Sequence, residues 1–62
     1  MPTVSYVIQV NHETVGIAVR HDADYRFYAS SPGYLSLEGL SFRRLRDIEQ
    51  AASRIGAEHS VN

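Results

Sequence analysis

Between residues 4 and 20, apolar side chains recur at every second position: Val4, Tyr6, Ile8 and Val10, then Val15, Ile17 and Val19. A period of two is the signature of a strand with one buried face. The spacing predicts a first strand over 4–10, with Ser5, Val7 and Gln9 outward, and a second over 14–20, with Gly16, Ala18 and Arg20 outward. Asn11-His12-Glu13 separates them as a turn, because Asn tolerates left-handed backbone better than other non-glycine residues. His21-Asp22-Ala23-Asp24 reads as the next turn. A third strand is expected over 25–30, with Tyr25, Phe27 and Ala29 inward and Arg26, Tyr28 and Ser30 outward. Ser31-Pro32-Gly33 breaks it. Residues 34–38 then read as a short edge strand with Leu35 and Leu37 turned inward, ended by Gly39.

The period changes after Ser41. Leu45, Ile48, Ala51, Ala52 and Ile55 fall on one stripe at a spacing near 3.6, which predicts an amphipathic helix lying on the sheet. Ser41 is the expected cap, with Leu40 placed to staple on Leu45, and Gly56 is the expected stop. Phe42 lies off the stripe, so the preceding strand can extend to it and the helix can start one or two residues later. The pattern as a whole gives an α+β fold, a three- to four-stranded antiparallel meander with one C-terminal helix packed on one face. It is a single domain over 1–62, with an ordered core of about 3–56 and a frayed tail over 57–62.

Composition narrows the function classes. A chain of 62 residues buries only about 60% of the surface it exposes when unfolded, so little room remains for an enclosed pocket. There is no Cys, which removes disulfides and thiolate sites and points to the cytoplasm. No apolar run reaches the roughly 20 residues of a membrane span, and Met1-Pro2-Thr3 lacks the basic start of a secretion signal. The net charge of −1 argues against direct nucleic-acid binding. All six basic residues are Arg, a planar donor suited to carboxylates and phosphates.

Candidate chemistry is sparse. His12, His21 and His59 with Glu13, Asp22 and Asp24 do not have metal-ligand spacing, and Asp in a hairpin turn is explained by backbone geometry. Ser30, Ser31, Ser36 and Ser41 sit in no nucleophile elbow. The expectation is no enzyme, no metal and no cofactor. What folding leaves unexplained is Arg43, Arg44 and Arg46, clustered at the start of the helix, where the dipole favours acids. Arg43 has Asp47 four residues on and Arg46 has Glu49 three on, as local partners. Arg44 has none, and on the helical wheel it falls at the margin of the apolar stripe, near Ile55. Arg43, Arg44 and Arg46, with Arg26 and Tyr28 on the open sheet face, are therefore the candidate partner-binding residues.

Phe27-Tyr28-Ala29, Pro32-Gly33 and Gly39-Leu40-Ser41 leading into an alanine-containing helix resemble the antitoxin half of HicA/HicB toxin systems. That resemblance covers about half the chain and implies three strands and a helix, with a Gly-x-Thr corner capping the helix. The family places acids after the cap, where this chain has Arg43 and Arg44. In size and build the chain also resembles phage-encoded inhibitors of the anti-CRISPR type. The expected function is a protein-binding module that blocks or sequesters a larger protein or ribonucleoprotein partner, acting as a monomer or weak homodimer. An antitoxin that dimerises through a sheet edge and a small nucleic-acid binder are the alternatives.

Overall fold

The computed structural model describes residues 4–60. Its chain runs β1 (Ser5–Val10), β2 (Glu13–His21), β3 (Asp24–Ala29), a 3-10 segment (Pro32–Leu37), β4 (Ser41–Phe42) and α1 (Leu45–Ser60). The four strands form one antiparallel sheet in the order β1-β2-β3-β4. The α+β meander with a C-terminal helix is therefore the fold of the chain. Its two hairpins turn through two residues each, Asn11-His12 and Asp22-Ala23. Asn11, His12 and Asp22 all have positive φ, the handedness that tight hairpin loops need to match strand twist.

The helix lays Ile48 and Ala52 fully against the sheet, with Leu45, Ala51 and Ile55 half-buried beside them. The 3.6-residue stripe is thus the packed face. Opposite it stand Ile8, Ala18 and Phe27, all at most 1% exposed. Burying side chains of the size of Phe27 or Ile48 contributes roughly 1.5–3 kcal/mol each.

On β2 Val15 is buried as expected, but from Gly16 onward the inner and outer faces are the reverse of those expected. Ser5 pairs with Val19, Val7 with Ile17 and Ile8 with Gly16, but Gln9 then pairs with Thr14, so Val15 is an extra residue on β2. A bulge of this kind breaks the two-residue parity of a strand. Val15 and Gly16 are both buried as a result, Ala18 faces the helix, and Ile17 turns to the open side.

Residues 34–38 are not a strand. With Pro32 at its start, the segment Pro32–Leu37 is a 3-10 helix, whose three residues per turn put positions i and i+3 on one side. Tyr34 and Leu37 are therefore the buried pair, and Leu35 is 60% exposed. The fourth strand is Ser41–Phe42 instead, with Phe42 opposite Tyr25 and Ser41 opposite Arg26.

Gly39 leads into that strand with φ +77°. Its N–H donates to the Phe27 carbonyl at 2.8 Å, while the Phe27 N–H donates to the Leu40 carbonyl at 3.0 Å. Two residues thus oppose one, a bulge begun by a left-handed glycine. The Gly39-Leu40-Ser41 corner therefore builds a strand and caps no helix. With Ser41 in β4, neither the cap nor the staple of Leu40 on Leu45 forms.

At its far end α1 runs through Gly56 to Ser60. Gly56 is buried inside the helix, so it is not the stop that its residue type suggests. Of the tail expected over 57–62, residues 57–60 are helical, and residues 61 and 62 lie outside the described residues. No helix among the described residues is long and apolar enough to cross a membrane.

Candidate functional site

Because α1 covers one side of the sheet, the other side is open. Strand register decides what it shows, since directly opposed residues share a face. Val7 opposes Ile17, and Ile17 opposes Tyr28. Three strands thus place three apolar side chains in one straight row across the open face. Their exposures are 61% for Val7 and 39% each for Ile17 and Tyr28. Neighbouring strands lie about 4.8 Å apart, so the row is about 10 Å long from Val7 to Tyr28. Beside it runs a second row spanning all four strands, Ser5, Val19, Arg26 and Ser41.

Arg26 and Tyr28 lie on this open face, as their place in β3 implies. Gly16, Ala18 and Arg20, expected beside them, belong to the helix side, where Gly16 opposes Ala29, Ala18 opposes Phe27 and Arg20 opposes Tyr25. Ile17 takes their place, opposite Val7, which faces outward as expected. The sequence gives little warning of this, because residues 15–19 read Val-Gly-Ile-Ala-Val and no polar residue marks the outer face. The usable signal is volume. Gly16 and Ala18 are the small residues that make room for the ring of Phe27 on the inner side.

Arg43 and Arg44 precede the helix in a bend, and Arg46 is its second residue. The Arg44 carbonyl accepts the Asp47 N–H at 3.1 Å, closing the first turn. Only Arg46 therefore sits in the helix, whose first turn holds Asp47 as its acid. Arg44 lies outside the helix, so its expected place beside Ile55 on the wheel does not apply. All three arginines are exposed. The ion pairs expected of Arg43 with Asp47 and Arg46 with Glu49 are not formed, since the one ion pair among the described residues is His21 with Asp22 at 3.6 Å. Backbone register relates the cluster to the open face, for Arg26 opposes Ser41, two residues before Arg43.

Among the described residues no other place gathers chemistry. His12 and His21 are exposed in and beside hairpin loops, and the side chain of His59 lies outside the described residues. No group of three side chains able to hold a metal ion occurs among the described residues. Ser30, Ser36 and Ser41 are exposed and Ser31 is half-buried. One hollow of about 250 Å³ opens between Val10, Glu13, Tyr34 and Gly56, smaller than the roughly 300–1,000 Å³ of a small-molecule site. A second depression is lined by Arg46, Glu49, Gln50, Ser53, Arg54 and Ala57. These all belong to α1, and the outer face of one helix encloses nothing.

A scan against protein-family models and searches of curated proteins and of solved structures find no match to this chain.

Proposed function

We propose that this chain is a non-enzymatic protein-binding module that blocks or sequesters a larger partner, with the open sheet face as its contact surface. The observation that carries the reading is the exposed row Val7, Ile17 and Tyr28. Apolar side chains scattered singly over a surface need no explanation, but contiguous ones mark interaction sites. The row has an aromatic residue at one end and Arg26 in the adjoining row, the two residue types most enriched at binding hot spots. Arg43 and Arg44 follow β4, two and three residues past the Ser41 that opposes Arg26, and would add positive charge at the margin of this face. An apolar centre with a charged rim is the usual anatomy of a protein interface, and it suits a partner surface that is apolar at its middle and acidic at its margin.

Site-specific photocrosslinking in the producing cell tests this. A photoreactive phenylalanine analogue in place of Tyr28 is expected to trap one discrete partner band, while the same analogue in place of Ser53, on the outer face of α1, traps none. Ile17→Asp is expected to abolish the band without changing the circular dichroism spectrum. Equal trapping from both positions, no band from Tyr28, or a band indifferent to Ile17→Asp in a folded protein overturns the reading.

A further inference from the structure

The two edges of the sheet are treated differently. On the β3 side the ladder is closed by Gly39 and Leu40 on Phe27, by the short β4, and by the Glu38 carboxylate, whose Oε1 accepts the Ala29 N–H at 2.7 Å. On the other side β1 has no neighbouring strand among the described residues, and its six residues, Ser-Tyr-Val-Ile-Gln-Val, include no charge and no proline. Exposed edges are normally blunted by such residues, because unpaired backbone groups recruit further strands.

The phase of the ladder shows which groups are unpaired. The Arg20 N–H donates to the Val4 carbonyl at 3.0 Å, and hydrogen-bonded pairs alternate along an antiparallel ladder. With Tyr6 opposite Ala18 and Ile8 opposite Gly16, the backbone groups of Val4, Tyr6 and Ile8 point at β2. Those of Ser5, Val7 and Gln9 point away from the sheet. The next ladder agrees, since the Ser30 N–H donates to the Val15 carbonyl at 2.9 Å, turning the odd-numbered residues of β2 toward β3.

We infer that the chain forms a two-fold dimer in which β1 pairs antiparallel with β1 of a second copy about Val7, giving one continuous eight-stranded sheet. In that register Val7 exchanges both backbone hydrogen bonds with its own copy, and Ser5 does so with Gln9 of the second copy, so every outward group from Ser5 to Gln9 is paired. A second copy brings no charge to this uncharged edge. It also sets its own Val7 beside the first, joining the two apolar rows into one of six residues on one face, with both helices on the other. The paired edges are about 20 Å long and about 10 Å deep, roughly 400 Å² in total, against the 1,200 Å² or more of a stable complex. Association is therefore weak. The inference concerns the strand edge and stands whether or not the sheet face binds another protein.

Sedimentation velocity from 10 µM to 1 mM, together with hydrogen exchange of the Val7 amide over the same range, tests it. The expected mass rises from 7.0 kDa toward twice that value, and the Val7 amide gains protection as concentration rises. Val7→Pro removes an outward N–H that β2 does not use, so the variant is expected to stay monomeric at 1 mM with an unchanged circular dichroism spectrum. Ile17→Asp, which strikes the face and not the edge, is expected to leave the dimer in place. A monomeric mass at 1 mM overturns the inference, as does a dimer that survives Val7→Pro in folded protein. Should that variant fail to fold, Val7 protection that is independent of concentration overturns it equally.

Discussion

The ring of Phe27 occupies the space in which Gly16 would carry a side chain. A Cβ on Gly16 would stand 2.4 Å from Phe27 Cζ and 2.5 Å from the backbone carbonyl oxygen of Tyr28. The carbonyl belongs to the β-ladder and has nowhere to go. Gly16→Ala is therefore expected to destabilise the fold by about 3 kcal/mol, the upper part of the usual overpacking range. Urea denaturation measures it, and a loss below about 1 kcal/mol would remove Phe27 from its place over Gly16.

Gly56 offers a contrast within the same chain. A Cβ there would meet Val10 Cγ1 at 2.7 Å and Tyr34 Oη at 3.0 Å, both side-chain atoms. Side chains can give way by a few tenths of an ångström where the Tyr28 carbonyl cannot, and alanine is better than glycine in a helix by about 1 kcal/mol. These effects oppose each other. Gly56→Ala is expected to change stability by no more than about 1 kcal/mol in either direction, well below the cost at Gly16. Denaturation of the two variants side by side checks the order.

The helix and the faces of β3 were legible because their polar and apolar positions alternate without ambiguity. Leu45, Ile48, Ala52 and Ile55 keep one period, and Arg26 marks the outer side of β3 against Phe27. Strand β2 was not legible in this way. Its central residues are apolar on both faces, so alternation gives two equal answers, and the extra residue at Val15 selects the one that looks less hydrophobic. The same ambiguity hid the row of Val7, Ile17 and Tyr28, which exists only once β1, β2 and β3 are in register. Leu37 was placed inward correctly, but Tyr34 was hidden and Leu35 misplaced for another reason, since a spacing of three over a few residues is too short to separate from a spacing of two. Gly56 misled because a glycine after a periodic stripe is the ordinary sign of a helix end, and here it marks close contact with Val10 and Tyr34.

Ala52 is completely buried under the helix, whereas its neighbour Ala51 is half-buried. Enlarging Ala52 pushes α1 away from the sheet. Ala52→Leu is expected to cost about 1–3 kcal/mol through overpacking, which lowers the midpoint of thermal unfolding by roughly 4–8 °C per kcal/mol in a domain of this size. Ala51→Leu is expected to cost less than half as much. Equal shifts for the two variants in a thermal melt would place the packed stripe elsewhere on the helix.

Glu38 completes the β3 edge by accepting the Ala29 N–H. Because the bond is exposed, water replaces the carboxylate when it is removed, so Glu38→Ala is expected to cost at most about 1 kcal/mol. The local consequence is larger than the global one. Exchange of the Ala29 amide is expected to accelerate in Glu38→Ala and to stay slow in Glu38→Gln, which keeps an acceptor oxygen. Equal acceleration in both variants would assign the effect to the length of the segment and not to its hydrogen bond.

Arg44 separates folding from binding. It stands exposed in the bend between β4 and α1, holds no ion pair among the described residues, and contributes to the helix only its carbonyl, which any residue supplies. Arg44→Glu is therefore expected to leave stability within about 0.5 kcal/mol of the parent, as surface substitutions usually do. An acid at this position also suits the start of a helix, which offsets any small loss. If Arg44 lies on the rim of the contact surface, reversing its charge against an acidic margin costs far more in binding than in folding. Photocrosslinking through position 28 is expected to fall at least tenfold in Arg44→Glu while the thermal midpoint holds. Trapping that is unchanged in the folded variant would confine the contact surface to the row of Val7, Ile17 and Tyr28 and leave the arginines as solvated charge.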